Sequence, residues 1–78
     1  MTRPEARLEL ARLVRERNRA LTANAVAVEG GREAPHSADD LEVLRLMIAV
    51  AAREARAAGA NIDDLVPPHV GTERPPDP

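Results

Sequence analysis

The sequence predicts an all-α fold: an antiparallel helical hairpin with a short C-terminal helical turn, its bundle completed by dimerisation or by a partner. Three observations lead there. Apolar residues recur at helical spacing through two long stretches, about 3–28 and about 38–58. A capping signature opens each stretch. A linker holding Gly30, Gly31 and Pro35 separates them.

The first helix starts at Thr2-Arg3-Pro4-Glu5, where a hydroxyl cap is followed by a first-turn proline and a carboxylate. Leu8, Leu10, Leu13, Val14 and Leu21 follow without a breaker until Gly30-Gly31. Ala25-Val26-Ala27-Val28 fits a last helical turn or a short strand leading into the glycines, and helix is the reading preferred. At about 100° per residue, Leu10, Val14, Leu21 and Val28 line one face, flanked by Leu13 and Ala25. Arg12, Arg15 and Arg19 gather opposite, beside Glu5, Glu9 and Glu16.

After a loop over 29–37, Ser37 with Asp40 three residues on repeats the capping pattern, and Asp39 and Asp40 suit the positive end of the helix dipole. Arg53 and Arg56 lie near the other end, and Gly59 is a natural terminator. One apolar face of this second helix holds Leu41, Leu44, Met47, Ile48, Ala51, Ala55 and Ala58. A second strip holds Val43, Leu46, Val50 and Ala57. The polar wedge of Glu42, Arg45, Arg53 and Arg56 is narrow, and Glu54 stands apart. A helix apolar around most of its girth needs cover on more than one side. A single antiparallel neighbour leaves part of it bare, so Val43, Leu46, Met47, Val50 and Ala57 are the expected interface.

Asn61 caps a short turn over 61–66 whose Ile62, Leu65 and Val66 fold back on the hairpin as a lid. Residues 1–66 thus form one hairpin domain, and 67–78, with five prolines, read as an extended or disordered tail.

Composition sharpens the need for a partner. Of 78 residues 44% are apolar, but fifteen are alanines and none is aromatic. A core of that make is marginal at this length. There is no cysteine for a disulfide or thiolate site. No apolar run reaches membrane-span length and no signal-peptide core opens the chain, so a soluble, cytoplasmic protein, or a component of a particle assembled there, is expected. A net charge of −2 makes no general case for nucleic acid or acidic lipid.

Chemistry-bearing patterns are few. His36, Asp39 and Asp40 match no metal-ligand spacing, and His69 lies in the tail. Ser37, the only serine, is already a helix cap, and Gly30-Gly31 follows a helix instead of opening one as a phosphate cradle would. No enzyme, cofactor or metal is expected. Arg17 falls inside the apolar face of the first helix. Its charged head either reaches water along the helix, forms an interface ion pair with Glu54 or Glu42, or holds an anionic ligand inside a bundle. The expected function is a small non-enzymatic protein–protein interaction module of the adaptor, inhibitor, antitoxin, virion or accessory-subunit type. It would bind itself and another protein, with no small-molecule substrate. The alternative is a dimeric DNA-binding regulator using Arg12, Arg15 and Arg19 on phosphates. Interleaved acids and the lack of a third helix weigh against it.

Overall fold

A computed structural model describes residues 2–68 and 70, and over these the chain is all-helical. Helix α1 spans Arg3–Glu29 and helix α2 spans Ala38–Ala57, packed against each other. No strand occurs among the described residues, and α1 runs unbroken through Ala25 and Val28.

Both helices begin and end by the devices written in the sequence. Thr2 Oγ1 accepts from the Glu5 amide at 3.3 Å, and Pro4 occupies the first turn of α1. Ser37 Oγ accepts from the Asp40 amide at 3.1 Å. Each C-terminus closes with the paired bonds of a Schellman motif. In α1 the Gly31 amide reaches Val28 O and the Arg32 amide reaches Ala27 O; in α2 the Gly59 amide reaches Arg56 O and the Ala60 amide reaches Ala55 O. Gly31 and Gly59 adopt φ of 75° and 86°, a conformation that costs other residues about 1–2 kcal/mol. Asn24 fixes the loop between the helices: its side chain donates to His36 O and accepts from His36 N, both at 3.0 Å.

The contact between helices follows a 4-3 repeat along α1 through Ala6, Leu10, Leu13, Arg17, Ala20, Asn24 and Ala27. The apolar members of that row are all buried. This corrects the face read from the sequence. Leu10 is central and Val14 packs at the edge, but Leu21 and Val28 are exposed at 38% and 61%. The reason lies in the C-terminal segment, which covers the Val14 flank near the start of α1 and leaves the same flank bare farther along. On α2, Ile48, Ala51, Ala52 and Ala55 are buried, whereas Met47 is 44% exposed.

Residues 60–68 and 70 form a strap across one flank of the hairpin. Ile62 and Val66 are buried in the core, with Leu65 and Val70 packed beside them. A single turn, closed by the Leu65 and Val66 amides on Ile62 O, aims these side chains inward. Asn61 Oδ1 accepts from the Asp63 amide at 3.2 Å and so starts the turn. Arg7 clamps the strap to α1, donating to Asp64 Oδ1 and Oδ2 at 2.9 and 2.6 Å and to Asn61 O at 2.8 Å. Of the tail read over 67–78, His69 and residues 71–78 lie outside the described residues.

Candidate functional site

The strap covers one flank of α2 and leaves the other open. Val43, Leu46, Met47 and Val50 stand at 55%, 51%, 44% and 52% exposure along that side. Their spacing of 3, 1 and 3 residues puts them on one strip of the helix. Ala57, one turn beyond Arg53, is exposed as well. The strip borders an apolar groove of about 420 Å³ floored by Leu13, Met47 and Ala51, with Glu9 and Glu54 at its edges. Scattered single apolar residues on a surface are ordinary, as Leu8 is here; four large ones in a row are not.

Several charged groups around the hairpin are tied to neighbours. Glu42 accepts two bonds from Arg45, at 3.0 and 2.7 Å, and that hydrogen bonding with the attached charge holds its pKa below the ordinary glutamate range. Arg12 lies between Glu9, at 2.5 Å, and Glu16, at 2.8 Å, and the Glu9 carboxyl is lowered by the Arg12 hydrogen bond and charge. Asp64 is lowered in the same way by Arg7. Arg12, Arg15 and Arg19 do share the exposed side of α1, but Arg12 is neutralised by two carboxylates.

Arg17 and Glu54 are on different sides of the molecule. Arg17 edges a cavity beneath the strap, and Glu54 edges the groove beside the apolar strip, so the chain does not bring the two together. His36 is held through its backbone by Asn24, and Asp40 serves the α2 cap through its amide. Among the described residues no group of three His, Cys, Asp or Glu side chains is placed to hold a metal ion. No helix is long and apolar enough to cross a membrane over the same residues. Two features went unread in the sequence: the Arg7–Asp64 clamp and the cavity beneath the strap. Their residues are far apart in the chain and follow no spacing rule.

No family model, curated protein or solved structure matches this chain.

Proposed function

We propose that this protein is a non-enzymatic protein–protein interaction module whose first partner is a second copy of itself, bound through the outer strip of α2. The observation that carries the reading is the row of half-exposed Val43, Leu46, Met47 and Val50 on a helix whose opposite side is already core. Antiparallel pairing of two α2 strips about a two-fold axis sets Leu46 against Val50 of the second copy. It also sets the exposed Glu42 near Arg53 of the second copy on the same edge, twice per dimer. Parallel pairing would instead stack Asp39, Asp40 and Glu42 on their equivalents. On the other edge Glu54 and Asp40 meet like charge across the axis. That repulsion, with the modest length of the strip, places the dimer among weak, concentration-dependent associations.

Light scattering coupled to size exclusion, over a concentration series of the full chain, tests this. A mass that rises from one chain to two with concentration supports the reading. A chain that remains a helical monomer at every concentration refutes the second copy as occupant. The DNA-binding alternative has less behind it, since Arg12 is engaged by Glu9 and Glu16. A gel shift at low salt, abolished by replacing Arg12, Arg15 and Arg19 with Ala, would favour it instead.

A further inference from the structure

On the flank opposite the strip, a cavity of about 380 Å³ lies between α1, α2 and the strap, within the size range of small-ligand pockets. Most of its wall is hydrocarbon: Val14, Ile48, Ala49, Leu65, Val66 and Val70. Among the described residues the polar part consists of Arg17, Asn18 and Arg45, with no carboxylate in the lining, in a chain that carries more acids than bases. Arg45 is committed to Glu42. Arg17 is half-buried and makes no hydrogen bond or ion pair among the described residues. A third guanidinium lies close by. Arg56 Nη2 donates at 3.2 Å to the carbonyl of Pro67, a wall residue, while Arg56 Nη1 is buried without a partner among the described residues.

A guanidinium drawn partly out of water with no acceptor raises the free energy of the site, and an anion restores what water supplied. The apolar wall requires that the rest of the ligand be hydrocarbon. Of the two described cations that line the cavity, Arg45 is already neutralised by Glu42 and Arg17 is left for the ligand, which suits a single negative charge better than a phosphate dianion. Arg17 is also well placed to discriminate, because its backbone belongs to the row of α1 that packs on α2 and is fixed by core contacts on both sides.

We propose that this cavity binds a small amphiphilic monocarboxylate, its carboxylate on Arg17 and its hydrocarbon chain against Val14, Ile48, Leu65 and Val66. The ligand is bound and not transformed, since among the described residues the lining holds no nucleophile and no acid–base group. The site and the dimer strip lie on opposite flanks, so either can fail without the other.

The test is titration of the full chain with decanoate at monomeric concentrations, followed by calorimetry and by amide shifts of Val14, Asn18 and Ile48. Decan-1-ol and decyltrimethylammonium serve as neutral and cationic controls of equal length. The expected result is saturable decanoate binding with both controls at least about tenfold weaker, and a loss of about tenfold or more in Arg17→Gln. Ala49→Leu, which keeps every charge and fills the cavity with a good helix former, should abolish binding; it decides the matter if Arg17→Gln unfolds. Decanol binding as tightly as decanoate, or either variant retaining parental affinity, would overturn the proposal. Capture by phosphatidylglycerol vesicles with no uptake of free decanoate would also overturn it, pointing to a membrane surface instead.

Discussion

Replacing Val50 by Glu puts a charge at the middle of the proposed contact. Burying a valine completely gains about 1.5 kcal/mol. With 52% of Val50 still exposed in one chain, about 0.8 kcal/mol is left to gain on association, or about 1.5 kcal/mol for the two copies. The variant forfeits that and adds a carboxylate at a contact drawn out of water, at about 1 kcal/mol or more per copy. The sum, about 3–4 kcal/mol, weakens dimerisation by more than two orders of magnitude. The monomer should be unharmed, because Val50 already faces water and Glu is the better helix former. Sedimentation equilibrium over a concentration range, with far-UV circular dichroism on the same samples, reads both quantities. Because the contact disfavours the ionised side chain, the new carboxyl has a raised pKa in the dimer, and association of the variant should recover as pH falls through it. A variant that dimerises within about tenfold of the parent at neutral pH would refute the placement of Val50 in the contact.

Two further outcomes concern the strap. Ile62 is 1% exposed, so Ile62→Ala should cost about 2–5 kcal/mol out of the roughly 4–12 kcal/mol available to a chain of this length; urea unfolding followed by circular dichroism measures it. A loss below about 0.5 kcal/mol would show that the strap lies on the core without being part of it. Asp64 should titrate below the ordinary aspartate value near 3.9, and Arg7→Ala should move its carboxyl-carbon midpoint, followed by NMR, upward. The pair's contribution is then present above the unfolded-state pKa and lost as pH falls through the depressed value. It is small and salt-sensitive because both side chains face solvent. A midpoint that Arg7→Ala leaves in place would mean that the clamp does not form in solution.

What could be read from the chain was local in cause. Thr2, Ser37, Gly31 and Gly59 act within a few residues of themselves, so helix starts and stops were visible before any fold was known. The apolar strip of α2 was visible for the same reason, as one helix with more apolar girth than one neighbour covers. The buried side of α1 was not. Two heptad rows compete there, Ala6–Leu13–Ala20–Ala27 against Val14–Leu21–Val28, and hydrophobicity alone favours the second. Which row faces α2 depends on how Ala6, Leu10 and Leu13 fit against Ile48, Ala51, Ala52 and Ala55 in one cluster, and on where the strap lies. Neither is written at either row. The Arg7–Asp64 clamp joins residues 57 apart, and Arg17 became a cavity residue only once the strap was seen beside it.

Among the described residues, six of the eleven buried core residues are alanines. Alanine side chains let the helices approach closely, but each withdraws little area from water. A fold held by such a core gains persistence from anything that binds its folded form, in proportion to the logarithm of that partner's concentration. If the partner is a second copy, the quantity of the protein itself sets how much of it stays folded. Dilution then acts as a denaturant, and abundance as a chaperone.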